Sequence, residues 1–157
     1  MIRLILMSDT QFNDYIQTLL NNYAQEHVNA GNWSADEAPA KAKAQIGELL
    51  PNGVATPDHY IYVVEDTTAQ AQVGILWLAV EDRAGRPTAF IYDIEIFESY
   101  QRRGYGTQTM AAAEAKAKEL GLVEIALHVF GSNERARALY RKVGFEEVDV
   151  LMSKRIT

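Results

Sequence analysis

Gln101-Arg102-Arg103-Gly104-Tyr105-Gly106 stands between a strand-like run, Ala89 to Phe97, and a helix-like run, Thr107 to Leu120. A strand, a glycine turn and a helix N-terminus in that order suit an anion, phosphate above all. The first helical turn carries backbone N–H groups with no intrahelical partner, and the macrodipole leaves partial positive charge at the same end. Gly104 and Gly106 lack a Cβ, which permits positive φ and a close approach, while Gln101, Arg102 and Arg103 add donors and charge. The two common phosphate motifs fit no better. A dinucleotide fingerprint requires a third glycine where Thr109 stands, and a P-loop requires a Gly-Lys-Ser/Thr end that the stretch lacks. Taken alone, the hexapeptide is equally a strand-to-helix turn with a solvated basic edge.

Past Gly121, a strand-like segment, Leu122 to Phe130, leads into Gly131-Ser132-Asn133-Glu134 and an amphipathic run to Val143, closed by Gly144-Phe145. Ala136, Leu139, Tyr140 and Val143 recur at three- and four-residue spacing, one apolar face of a short helix. Asn133 and Tyr140 are seven residues apart, so at about 100° per residue they lie within roughly 20° of one face, separated by about 10 Å of rise. Both can address one groove.

QRRGYG followed by LHVFGSNERARALYRKVGF resembles the motif pair of the GCN5-related N-acetyltransferase (GNAT) superfamily, and the likeness covers the second half of the chain closely. The resemblance implies an acetyl-CoA-dependent N-acetyltransferase that moves an acetyl group directly to a primary amine in a ternary complex. It assigns the pyrophosphate of acetyl-CoA to Gln101, Arg102, Arg103, Gly104, Tyr105, Gly106 and Thr107, and the pantetheine to the backbone of Ile94 to Ile96. Asn133 and Tyr140 then face the thioester. Glu98 stands where many members place proline, and Arg102 replaces the first glycine of a common variant of the turn; neither change removes a required group.

Composition agrees with a single enzyme domain over residues 1–157: the chain is 48% hydrophobic and 23% charged, enough apolar content for one core. With no cysteine, and with His27, His59 and His128 scattered, neither a disulfide framework nor a zinc spacing is present, and no metal is expected. The apolar run Met1 to Met7 is too short for a signal sequence or membrane span, so a cytoplasmic protein without membrane association is expected. A formal net charge of −6 argues against nonspecific nucleic-acid binding and suits a cationic amine.

Ile2 to Met7 reads as a first strand. Ser8 or Asp9 caps a helix through Gln11 to His27, with Phe12, Ile16, Leu19, Leu20 and Tyr23 on one face. Ser34 is placed to cap a second helix that Pro51-Asn52-Gly53 stops after Leu50, and the two helices are candidates for a lid. Three strand-like runs come next, Tyr60 to Glu65, Val73 to Val80 and Ala89 to Phe97, separated by turn-rich Asp66 to Gln70 and Glu81 to Pro87. They predict an antiparallel meander. The whole reads as α/β (α+β), a mixed, mostly antiparallel sheet flanked by helices. The resemblance adds that its central strands splay.

Acyl transfer to an amine needs a neutral nitrogen, donors for the carbonyl oxygen and a proton for the departing thiolate. The resemblance gives the last role to Tyr140, whose hydroxyl, with a reference pKa of about 10, keeps its proton at neutral pH. A core tyrosine is the plainer reading of that residue taken by itself. The base candidates are Asp93 and Glu95 on one strand and His128 on the next, and none is decisive. Alternation places Asp93 and Glu95 on one face and Tyr92, Ile94 and Ile96 on the other. His128, five residues before Asn133, has a reference pKa suited to a base and is equally a half-buried strand histidine. Glu95 is alternatively a partner of Arg102 or Arg103, or a carboxylate that binds the acceptor.

The acceptor, a small-molecule amine or a protein or peptide amine, is not legible. Trp33, Tyr60, Tyr62, Trp77 and Tyr92 fit core packing better than an acceptor pocket. A CoA-binding regulatory module without turnover is the alternative function. A homodimer through the last strand, here Glu146 to Arg155, is compatible with the resemblance and not demanded by the sequence.

Overall fold

In the computed structural model, which describes residues 1–157, the chain opens with β1, Ile2–Leu6. Helix α1, Asp9–Asn29, begins in a reciprocal cap: Gln11 N donates to Ser8 Oγ at 3.2 Å, and Ser8 N donates to Gln11 Oε1 at 2.9 Å. Helix α2 is Ala38–Leu49. Ser34 does not cap it directly. The side chains of Ser34 and Glu37 instead close a turn one step earlier, and Pro39 occupies the first turn of the helix, where a missing N–H costs nothing. Strands β2, His59–Asp66, β3, Ala71–Arg83, and β4, Arg86–Ile96, form the meander. The β3–β4 connection is much tighter than Glu81 to Pro87: only Ala84 and Gly85 turn, with φ of 53° and 81°, as a two-residue hairpin requires. Then come α3, Tyr105–Glu119, β5, Glu124–Leu127, and α4, Glu134–Lys142.

The sheet order is β1-β2-β3-β4-β5, antiparallel throughout except for the parallel β4–β5 pair. One face carries α1 and α2, where Phe12, Tyr15, Leu19 and Ile46 pack on Ile61, Val63, Ile75 and Trp77. These helices are therefore a core layer rather than a lid. The opposite face carries α3, with Met110 and Ala113 against Tyr62, Leu76, Leu78 and Ile91. Trp77 and Tyr62, both buried, belong to this packing.

Two irregularities shape the outer edge of β4. Trp77 lies opposite Asp93 and Leu78 opposite Ile91, so Tyr92 is an extra residue, a β-bulge. Strict alternation puts Tyr92 with Ile94 and Ile96; the bulge moves it to the α1 side, where its ring stacks on Trp77 at 4.7 Å between centroids. The second irregularity is adjacent to the first. Strand β5 pairs only with Thr88 to Ile91, while β4 runs on to Ile96, so the two strands part beyond Ile91. Strand β5 is correspondingly shorter than the Leu122 to Phe130 segment read from sequence, and no strand forms over Glu146 to Arg155.

Candidate active site

The parting of β4 from β5 opens a cavity of about 330 Å³ between the end of β4, the turn before α3 and the first turns of α4. The turn curls because Arg102 and Gly104 both take left-handed φ, 64° and 83°. As a result, the backbone N–H groups of residues 102 to 107 donate to no carbonyl or side chain of the protein. Six consecutive unpaired amides at a helix N-terminus form an anion nest, with no side chain needed to make it. Gly106 contributes differently from the sequence expectation. Its φ is unexceptional, but a Cβ there would lie 3.1 Å from Leu139 Cδ2, so glycine lets α3 and α4 approach.

Tyr105 ties the turn to the sheet: its hydroxyl donates to Asp66 Oδ2 at 2.6 Å. That bond, with amide donors from Ala69 and Thr68, holds the Asp66 carboxyl at a pKa of about 2. Gln101 Nε2 donates to the Ile96 carbonyl at 2.9 Å and its Oε1 accepts from Arg135 Nη1 at 3.2 Å. Gln101 thus braces the end of β4 as well as bordering the cavity. Of the ten residues expected to touch the cosubstrate, Ile94, Ile96, Gln101, Arg102, Gly104, Tyr105, Gly106, Thr107 and Asn133 line the cavity. Arg103 does not; its guanidinium sits over the Tyr100 ring at 5.8 Å. Arg135, which the sequence reading missed, does line the cavity and brings a cation from the first turn of α4. The only signal for it was its place two residues after Asn133.

Asn133 caps α4 by accepting from Ala136 N at 3.2 Å, which leaves its amide N–H groups as the free donors. Tyr140 lines the same cavity, and its pKa is pushed up to about 12 by burial first, then by the charges of Asp93 and Glu26. Its hydroxyl therefore remains protonated throughout the neutral range.

Asp93 occupies the other side of the split, on the α1 face. It accepts from the Tyr15 hydroxyl at 2.7 Å, and dense packing at its carboxyl lifts the pKa from 3.8 to about 6. The neighbouring charges of Glu95 and Glu26 push the same way, and the Tyr15 bond opposes them. Glu95 lies on this face too, opposite Ile75. His128 is exposed beyond the end of β5, edge-on to Phe130 at 5.1 Å; Phe130 in turn meets His27, which stacks on Trp33 at 4.0 Å. This aromatic chain joins the exit of β5 to the end of α1. No hydrogen bond links His128 to Glu95 or Tyr140, and neither Glu95 nor His128 borders the cavity.

The chain that arranges an anion nest, a half-free strand edge and a protonated tyrosine around one slot matches the model of the acetyltransferase (GNAT) family over residues 16–145. The chain belongs to this family. It is similar over nearly its full length to the uncharacterized N-acetyltransferase YycN of Bacillus subtilis, 37% identical over 155 residues covering 99% of each chain. The crystal structure of YycN superposes with a TM-score of 0.94 at 36% identity, covering 100% of this chain and 99% of that one. A second Bacillus subtilis relative, the uncharacterized N-acetyltransferase YdgE, is 28% identical over 150 residues, covering 96% of this chain and 95% of its own. In fold alone the GNAT chain also resembles AAC(6′)-Iy, solved with a CoA bisubstrate analogue, with a TM-score of 0.58 at 16% identity over 100% of this chain and 99% of that one. The GNAT chain is an acetyltransferase. No helix in it is long and apolar enough to cross a membrane.

Proposed function

We propose that this acetyltransferase moves the acetyl group of acetyl-CoA directly to a primary amine in a ternary complex, with Asp93 as the group that takes the amine proton. The residues present fit that cosubstrate. The amides of residues 102 to 107 and Arg135 offer donors and charge for a diphosphate, and β4 beyond Ile91 offers unpaired backbone for an extended amide-bearing arm. Acetyl-CoA, when bound, supplies an acyl thioester activated toward amines.

The chain's own groups do the rest. Asp93 carries the reading: a packed carboxylate with a pKa near 6, immediately past the point where the strands part, is mostly ionised at neutral pH and suited to accept the proton that the amine nitrogen sheds as it bonds to the acetyl carbon. Tyr15 fixes its orientation. Tyr140, across the split, keeps its proton and is the donor for a leaving sulfur. Glu95 and His128 remain candidates that the same assay addresses; their surroundings supply neither Asp93's packing nor its hydrogen bond.

The test is thiol release from acetyl-CoA over a panel of polyamines, amino acids, peptides with free N-termini and aminoglycosides, alongside calorimetric titration of acetyl-CoA. Amine-dependent thiol release that Asp93→Asn abolishes supports the reading. Tight acetyl-CoA binding without release for any amine would favour a regulatory binding module.

A further inference from the structure

On the α1 side, the parted strands are crossed by the last turns of α1 itself. At Tyr15 the helix is bound to Asp93 of β4. About two to three turns further on, Tyr23 and Glu26 lie close enough to act on Tyr92 and Asp93 of the same strand. His27, the next residue, meets Phe130 just past the end of β5, edge-on at 5.2 Å. Since β4 stops pairing with β5 at Ile91, one helix reaches both strands where they have separated. The contact is well supported: His27 stacks on Trp33, Tyr23 stands edge-on to His27 at 4.7 Å, and Asn32 Nδ2 lies 2.9 Å from His27 Nδ1. These rings form a fixed wall, and the approach to Asp93 from the α1 side runs between that wall and the strand ends.

The charges facing this approach have one sign. Every charge that acts on Asp93, or on Tyr140 across the split, belongs to a carboxylate. Glu26, Asp93 and Glu95 take part in none of the ion pairs of the molecule. Glu26 keeps contact with solvent, yet packing around its carboxyl raises its pKa, so water screens its charge only in part. Acetyl transfer to an amine employs one carboxylate. With Asp93 taking the amine proton, Glu26 and Glu95 are left without a counter-charge, beside ring faces that also attract cations. A second cation on the acceptor, away from the reacting nitrogen, supplies the missing balance. Girth is limited as well. An unbranched chain fits beside the rings, whereas linked sugar rings must part His27 from Phe130.

We propose that the last turns of α1, with Trp33 and Phe130, form the acceptor-selecting wall of the active site, and that the acceptor they select is a slender aliphatic amine with a second positive charge, a linear diamine or polyamine. This rests on the transfer reading above. Thiol release is compared for diaminobutane, for butylamine, which has the same carbon chain and one amine, and for kanamycin, which carries several amines on linked rings. Diaminobutane should exceed each of the others in kcat/KM by about tenfold or more. Glu26→Gln should lower the diaminobutane-to-butylamine ratio about tenfold, mainly through KM, and Phe130→Ala should raise the kanamycin-to-diaminobutane ratio about tenfold. Such ratios do not depend on how much of a variant is folded. Butylamine or kanamycin as good as diaminobutane, or variant ratios equal to those of the wild type, overturns the proposal. Calorimetric titration of diaminobutane into the enzyme with CoA separates the wall from the transfer chemistry. Binding that Glu26→Gln weakens, without thiol release for any amine, supports the wall and refutes transfer; no binding overturns the wall. Release that persists in Asp93→Asn with the acceptor ratios intact refutes the base alone.

Discussion

Replacing Asp93 by asparagine tests the site most directly, because the carboxyl's surroundings fix both the size and the sign of the effect. Burial is the largest cause of its rise from 3.8 to about 6. Below about pH 6 the carboxyl is already protonated and cannot accept another proton, so kcat/KM should fall about tenfold per pH unit on the acid side. Asp93→Asn should lower the rate by about 10²–10⁴-fold and leave acetyl-CoA affinity nearly unchanged, since Asp93 does not line the cosubstrate cavity. Tyr15→Phe supplies the control. Its hydroxyl is the main influence holding the Asp93 pKa down, so losing it should move the acid limb to higher pH. A hydrogen bond to a charged group contributes about 1.5–3 kcal/mol, and one pKa unit corresponds to about 1.4 kcal/mol, so the shift should be about one to two units. An acid limb set by the acceptor's own amine would not move. Stability runs the other way. The folded pKa lies above the unfolded value, so the folded state holds this proton more tightly; the stabilisation is full below about pH 4 and is lost as pH rises through about 6. Asp93→Asn should therefore raise Tm at pH 8 and not at pH 4, with about 3 kcal/mol as the upper limit set by the two pKa values. The assay is thiol release at subsaturating amine from pH 5 to 9, with thermal melts at both ends. An Asp93→Asn enzyme with the wild-type rate and acid limb would refute the reasoning, and loss of the limb in Glu95→Ala or His128→Ala instead would relocate the base.

Gly74→Ala should damage the slot from its far side: a Cβ at residue 74 would run into the Glu95 carbonyl oxygen, so the end of β4 must move. Expected are a loss of about 1–3 kcal/mol in denaturant unfolding and a raised KM for acetyl-CoA; a neutral result would show that β4 is not held where the structure places it. Gly104→Val forces a β-branched residue to φ 83°, at a cost of roughly 1–2 kcal/mol or more, and should weaken acetyl-CoA binding at least tenfold by calorimetry. Unchanged affinity would remove the anion role of the turn. Tyr140→Phe keeps the ring and loses the proton, so kcat should fall at least tenfold with acetyl-CoA affinity within about twofold; an unchanged kcat would assign the proton elsewhere.

The second half of the chain was legible because its chemistry depends on backbone shape, and glycines, caps and turn residues write backbone shape into sequence. Gly104 announces a left-handed residue and Asn133 a helix start, and both stand where the residues imply. Left-handed Arg102 was not foreseeable from residue type, since nothing in an arginine side chain favours positive φ. The lid reading of α1 and α2 failed because an amphipathic helix shows that it buries a face without showing against what; here the partner is the sheet. Asp93 could be put forward as a base but not ranked above Glu95. The difference between the two lies in the hydroxyl of Tyr15, 78 residues away in sequence. Arg135 was overlooked for a similar reason, since its relation to Gln101 spans 34 residues.

The bulge and the slot have a common origin. Along its inner edge β4 stays paired with β3 as far as Ile96, so the strand is not free to curl away as a whole. Along its outer edge the pairing stops at Ile91, directly before the extra residue. A bulge increases local twist, and the bulged Tyr92, stacked on Trp77, stands at the residue after which the outer edge of β4 leaves β5. The same extra residue sets the register of β4 from Asp93 to Ile96. Were Tyr92 to take a ladder position of its own instead of bulging, Asp93 would fall on the α3 face with Ile91, where a carboxyl would meet Met110 and Ala113 rather than Tyr15. The bulged residue therefore stands where the space between the strands opens, and because it takes no ladder position a carboxylate is kept on the α1 side of that space, opposite the helix that carries Tyr140. The site depends on a strand count that no single motif displays.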